Sequence, residues 1–315
     1  MKRAGCAALL IVLLAIAGLG RSSVAAAAPS DLDLAYRWAP VHFQDTDSSD
    51  YDADYITAVD YDGDWDAKNN WERQDDNGAA LKAKAYFSIV ETATHWHIVY
   101  SFYHPRDWED FLAGTDAEHE NDLEGALVVV RKDGSAFGAF EGMVTVAHSD
   151  FFSWTPPGSP WRSGRESIDG AVVMRSFDGV SRPTTFQEAK GHGLKAWNGG
   201  GFPGGDGVIY EPSLTVAEVP SGGNDSSARY QLIDVFAAGG LWAHRSDPLT
   251  FASWGVFRGD NGKDNAANAP WKWDDKDDGG ALPGGELATD PAKLINIYFS
   301  NLGAFSLTYA RNGYR

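Results

Sequence analysis

The chain has 315 residues, with 26 Lys and Arg against 44 Asp and Glu and a formal net charge of −18 at pH 7. That balance argues against unaided binding to nucleic acid or to an anionic bilayer, because phosphate recognition relies on clustered cations. A single cysteine, Cys6, excludes an internal disulfide framework, and after the first apolar run none reaches the roughly 18 residues of a membrane span.

Met1 to about Ala27 reads as a secretory signal peptide: Lys2 and Arg3 lead, an apolar run follows from Ala7 to Leu19, and small residues close it between Val24 and Ala28. Cys6 lies before the apolar run, which argues against a lipoprotein anchor. Cleavage leaves residues 28–315 as one exported domain of 288 residues with net charge −21 and no cysteine. Stability in an oxidising compartment then rests on a hydrophobic core, for which 16 Phe, 12 Trp and 12 Tyr are available.

Short apolar runs punctuated by Gly, Pro, Asn and Asp predict strands. They fall at Tyr36–Phe43, Tyr55–Tyr61, Ala80–Glu91, His95–Tyr103, Gly125–Arg131, Glu141–His148, Ala171–Phe177, Pro183–Ala189, Tyr230–Phe236 and Gly303–Tyr309. Their spacing predicts an all-β, single-domain β-sandwich. Thr289-Asp290-Pro291 reads as a cap with a first-turn proline and predicts one short C-terminal helix. The stretches 198–207, 220–226 and 259–286 are too rich in Gly, Asn and Asp for strands and predict long loops.

The acidity is concentrated. Residues 45–66 carry nine Asp and 107–124 carry eight acidic residues, neither stretch with a Lys or Arg. The first lacks the Gly and Glu of an EF-hand loop and reads as a solvated acidic surface. In the second, His119, Asp122 and Glu124 immediately precede an apolar strand, and Asp107 follows the strand before it. Alternation puts Asp122 and Glu124 on one face, and a turn can bring His119 back over them. Three carboxylates and an imidazole at such a connection suit a divalent cation: Ca²⁺ or Mg²⁺ first, with Mn²⁺ and Zn²⁺ also compatible.

Residues 100–130 resemble the core motif of two families, the necrosis-inducing proteins of microbial plant pathogens and the family of vacuolar protein sorting-associated protein 62. His119, Asp122 and Glu124 match the His, Asp and Glu of their His-x-x-Asp-Trp-Glu signature, and Tyr103, Pro105 and Asp107 match a preceding Tyr-x-Pro-x-Asp. Trp38-Ala39-Pro40-Val41-His42-Phe43 resembles the Ala-Pro-Val start of the sorting-protein family. Leu123 stands where the motif has Trp, Asn121 where the necrosis-inducing heptapeptide has its second His, and Glu118 where it has Gly. The resemblance implies a β-sandwich in which Asp107, His119, Asp122 and Glu124 hold a divalent cation that helps engage a glycosylated lipid head group.

Other residues enter as candidates. His148 and His192, in Ala147-His148-Ser149-Asp150 and Gly191-His192-Gly193, are suited to orient a bound water or a ligand hydroxyl. His95 and His97 share a strand face and read as histidines satisfied by neighbours. Trp271 and Trp273, among Asp274, Asp275, Asp277 and Asp278, either cover a core edge or form an aromatic sugar platform. Arg258-Gly259-Asp260 is assigned to chance. Three functions fit: a secreted cation-dependent binder of an extracellular glycan or lipid head group; a metal-dependent hydrolase with His148 or Glu120 as base; and a protein whose cation only stabilises a loop.

Overall fold

The computed structural model describes residues 28–76, 81–109, 118–260 and 267–315. The expected signal peptide lies outside them. In chain order the strands are β1 (Val41–Asp45), β2 (Lys84–Thr92), β3 (His95–Asp107), β4 (His119–Arg131), β5 (Ala139–Ala147), β6 (Asp150–Thr155), β7 (Arg162–Ser163), β8 (Ile168–Ala171) and β9 (Met174–Phe177). They continue with β10 (Val180–Gln187), β11 (Leu194–Ala196), β12 (Gly207–Ser213), β13 (Ala228–Asp234), β14 (Phe251–Ser253), β15 (Val256–Phe257), β16 (Phe299–Ser300) and β17 (Tyr309–Arg311). The helices are α1 (Asp31–Trp38), α2 (Asn70–Asp76), α3 (Glu286–Thr289) and α4 (Pro291–Tyr298).

The protein is mostly β. Thirteen strands join in one mixed sheet of order β11-β10-β1-β12-β13-β2-β3-β4-β5-β6-β8, with β17 added on β2 and β9 on β10. Pairing among the described residues gives this one large sheet, with β14–β15 and β16–β7 as separate two-stranded pairs, rather than the two facing sheets of the expected sandwich. The sheet curls: β11, at one end of the order, packs back against β4 and β5. Apolar residues of both arms thereby bury each other, and the large core runs from Leu34 on α1 through Tyr86, Tyr100 and Leu127 to Tyr298 on α4.

Five segments depart from the sequence reading. Tyr36–Phe43 is not one strand, because Ser30 caps a helix: its hydroxyl accepts from Asp33 N at 3.1 Å and Asp33 accepts from Ser30 N at 3.2 Å. That helix ends before Pro40, which holds Ala39 in an extended conformation, and the strand starts at Val41. Tyr55–Tyr61 makes only an isolated bridge, from Thr57 to Tyr103. Gly303–Tyr309 is irregular until β17 begins. β6 and β12 were not foreseen, although both alternate buried and less buried residues. The C-terminal helix is where expected, with Pro291 in its first turn.

β3 and β4 carry the acidic motif. They pair along 13-residue strands from His95 opposite Arg131 to Asp107 opposite His119, and nearly every residue is buried. The segment from 267 onward lies over them: Trp273 is buried and donates its indole N–H to Leu123 O at 2.9 Å. Trp271 is packed against Trp242 and Phe251. Of the two readings of these tryptophans, the structure shows the core one and not the exposed sugar platform: both rings are buried in the main hydrophobic cluster.

Candidate functional site

The register of β3 and β4 sets Asp107 beside His119, Arg106 opposite Glu120 and His104 opposite Asp122. Strict alternation would send His119 and Asp122 to opposite faces. Asn121 breaks it by adopting a left-handed backbone, φ 59°, a conformation asparagine tolerates better than most residues. Its side chain is held on the far side, accepting from Asn70 Nδ2 at 2.7 Å and Tyr103 OH at 2.6 Å and donating to Ala67 O and Arg258 O. Glu120 also points that way, accepting from Trp71 N at 3.3 Å and Asp260 N at 2.6 Å. His119, Asp122 and Glu124 are left on the near side.

There the motif meets residues from remote parts of the chain. His119 Nε2 lies 3.4 Å from Asp107 Oδ2. Burial disfavours the His119 imidazolium, but the hydrogen bond it donates to Asp107 and the charges of Asp122 and Asp107 outweigh it and raise its pKa. Asp122 Oδ2 lies 3.2 Å from His192 Nδ1, and His192 Nε2 lies 3.3 Å from Asp54 Oδ1. His192 is fully buried and stacks on His104 with ring centroids 3.7 Å apart. Burial pushes His192 down, yet its two carboxylate partners lift it to about 9. Burial likewise acts to raise Asp122, but His192 overrides it and lowers the pKa below the usual value. Asp54 also accepts from Trp108 Nε1 at 3.1 Å, Lys190 N at 2.7 Å and Asp47 N at 2.7 Å.

Glu124 is held differently. Its Oε1 accepts from His148 N and its Oε2 from Leu194 N at 2.9 Å. Burial, then the charge of Asp122, drive its pKa well above the usual carboxylate range. His148 Nε2 lies 2.9 Å from Glu188 Oε1, a pairing that raises the imidazole and lowers the carboxyl. The glycines around His192 make room for this pair: a Cβ at 193 would lie 2.4 Å from Glu188 Oε1, and one at 191 would lie 3.0 Å from His148 Cε1 and 3.9 Å from Asp107 Oδ2.

A cavity of about 590 Å³ opens here, lined by Asp45, Asp107, Glu109, His148, Glu188 and Lys190 among others. Asp45 is buried with one carboxylate oxygen lacking a hydrogen-bond partner, and burial followed by the charge of Asp54 pushes it up to about 7. Of the six described non-glycine residues with positive φ, four belong to this region: Asn121, His148, Lys190 and His192. Backbone strain of this kind persists only where the surrounding structure imposes it, and it clusters at functional sites.

The two acidic stretches thus form one site. Asp54 and Asp45 come from the stretch read as solvated surface, and no spacing signal in it marks them as buried. Of the expected cation ligands, Asp107 meets His119, while Asp122 and Glu124 reach separate partners about 7 Å apart along β4. The four ligand atoms do not gather within 4.8 Å of one another; among the described residues only Asp150, Asp275 and Asp277 form such a group. The donor chemistry suits a hard divalent cation, and Asp45 and Glu124 are raised first by burial and then by neighbouring carboxylates. Of the two base candidates only His148 lines the cavity, since Glu120 faces α2. His95 pairs with Glu141 at 2.9 Å, which fits the reading of a strand histidine satisfied by neighbours, whereas His97 packs against Phe305 with both ring nitrogens buried and without a hydrogen-bond partner. Asp260 of Arg258-Gly259-Asp260 is paired with Lys68 at 3.1 Å.

These features define a mostly-β protein with a histidine-bridged acidic basin. No protein-family model matches the chain, and no curated protein matches it. Similar solved structures include Necrosis and Ethylene inducing Protein 2 from the causal agent of cocoa's Witches Broom disease, 16% identical over 78% of this chain and 86% of that one, with a TM-score of 0.39. NLPPya in complex with glucosamine is 16% identical over 79% of this chain and 89% of that one, TM-score 0.38. A structure described as a toxin fold for microbial attack and plant defense is 18% identical over 76% and 83%, TM-score 0.37.

Proposed function

We propose that this is a secreted protein whose acidic basin, with a divalent cation that would have to draw Asp107, His119, Asp122 and Glu124 together, recognises the head group of an extracellular glycan or glycolipid. The observation that carries the reading is the closure of two sequence-distant acidic stretches around one open cavity, its volume of about 590 Å³ within the range of small-ligand sites. Carboxylates there accept from sugar hydroxyls, and His148, on the rim, offers an N–H to a hydroxyl or an anionic oxygen. A bound cation would offset the buried negative charge and accept oxygen ligands from the head group.

The hydrolytic reading is weaker. His148 is the base candidate on the cavity, and its pairing with Glu188 raises its pKa, which favours the protonated form that cannot accept a proton. Calorimetric titration with Ca²⁺ and Mg²⁺, followed by glycan arrays and liposome pull-downs with and without EDTA, tests the proposal. Cation-dependent binding that Asp122→Asn abolishes is the expected result. Cation binding with blank arrays and liposomes would leave only a stabilising role, and no heat at all would remove the basin cation. Secretion is checked by the intact mass of exported protein, which should lack residues 1–27.

A further inference from the structure

A second set of carboxylates gathers where the segment after residue 267 crosses the β5–β6 turn. One carboxylate oxygen each from Asp150, Asp275 and Asp277 lies within 4.8 Å of the others. Asp150 opens β6, paired with Ala147 across the turn, and Lys276 N donates to Ser149 O at 2.9 Å, which fixes the crossing point. Neighbouring Asp278 is satisfied by its own loop, accepting from the main-chain N–H groups of Gly280, Ala281 and Leu282.

Asp275 is not so satisfied. It is only 4% exposed; one oxygen accepts from the Tyr298 hydroxyl, and the other, Oδ1, is buried with no hydrogen-bond partner. A solvated acidic surface does not produce this, because water would reach both oxygens. A buried carboxylate oxygen without a donor is costly, and two more carboxylates beside it add repulsion. A cation answers both.

We propose that Asp150, Asp275 and Asp277 form a calcium site that fastens the 267–286 segment to the β5–β6 turn. The group contains carboxylates and no imidazole or thiolate, which selects a hard cation over Zn²⁺. Calcium accepts irregular sets of six to eight oxygens. Asp150 and Asp277 are exposed, so water can complete the shell. The site has a consequence for the basin. Its turn carries His148, held at φ 59° with its imidazole toward Glu188. Clamping the turn from the far side fixes His148 on the cavity rim. The calcium site stands without the proposed head-group recognition; only this last consequence rests on it.

The test is Ca²⁺ calorimetry on the wild type, Asp150→Asn, Asp277→Asn and Asp122→Asn, with limited proteolysis in Ca²⁺ and in EDTA. Asp150 and Asp277 are exposed, so both variants should fold. The expected result is that each loses one binding event, or weakens it at least tenfold, and loses Ca²⁺-dependent protection of the 267–286 segment, while Asp122→Asn keeps both. A wild type that binds no Ca²⁺, or binding and protection unchanged in both exposed variants, overturns the site. An event lost only in Asp122→Asn overturns it while sustaining the basin cation, and the reverse pattern sustains this site and removes the other.

Discussion

Nδ1 of His192 lies 3.2 Å from Oδ2 of Asp122, both side chains being almost completely removed from water. With Asp54 on its other nitrogen, this imidazole is a fixed positive charge that neutralises part of two acidic stretches. His192→Gln should destabilise the protein by about 3–5 kcal/mol, the cost of leaving buried carboxylates without their charged partner. Equilibrium urea unfolding checks this; a loss below about 1 kcal/mol would refute the charged state.

The same pair sets a pH dependence. His192 has a folded pKa of about 9 against an ordinary 6.5, so the stability it contributes is complete below about pH 6.5 and is lost as pH rises through 9. Asp122, shifted downward, contributes stability that is present above the ordinary carboxylate range and lost on acidification. Urea midpoints should fall between pH 7 and roughly pH 9.5, with a shallower fall in His192→Gln.

Asn121 separates backbone from side-chain effects. Asn121→Gly keeps the left-handed conformation and loses the hydrogen bonds to Asn70, Tyr103, Ala67 and Arg258. Asn121→Ala loses both and should be less stable than the glycine variant by about 1 kcal/mol. Thermal unfolding of the two variants side by side measures the difference; equal stability would mean the turn in the strand is unstrained.

His148→Ala should act on binding without acting on the fold. The side chain is 55% exposed and its partner Glu188 is 42% exposed, so the pair contributes at most about 1 kcal/mol. The expected outcome is an unchanged unfolding midpoint within that margin and weakened head-group binding on arrays or liposomes.

Trp273→Phe removes the indole N–H donated to Leu123 O and leaves a buried carbonyl unpaired. A loss of about 1–3 kcal/mol should follow. Glycan binding by the folded variant should be retained, because Trp273 lies in the core rather than at the cavity.

What the sequence revealed follows from the range of the forces involved. The β3–β4 motif was legible because strand pairing places Asp107 beside His119 and because Asp122 and Glu124 are two apart on one strand. Gly191-His192-Gly193 stands out in the sequence, but its role depends on Asp54, 138 residues away, which no local pattern connects to it. Asp54 looked like one solvated acid among nine, and only tertiary packing buries it. Trp271 and Trp273 were ambiguous for the converse reason: acidic neighbours suggest a surface, while burial of the rings is decided by Trp242, Phe251 and Leu123 elsewhere in the chain. The number of sheets was illegible because β-periodicity reports faces and not partners.

The place of β1 in the sheet has a kinetic consequence. It is the first strand of the chain, yet it lies between β10 and β12, with Val41 opposite Thr184 and His42 opposite Tyr210. His42 and Thr185, which meet across the β1–β10 pairing, are 143 residues apart. No covalent link shortens that span, so loop closure must precede the reward of pairing, and such non-local contacts slow folding. A chain emerging N-terminus first has to carry Val41 and Phe43 unpaired until residues 184–187 have followed. Refolding from denaturant should therefore be slow and concentration-sensitive, with β1 the segment most exposed to wrong partners on the way.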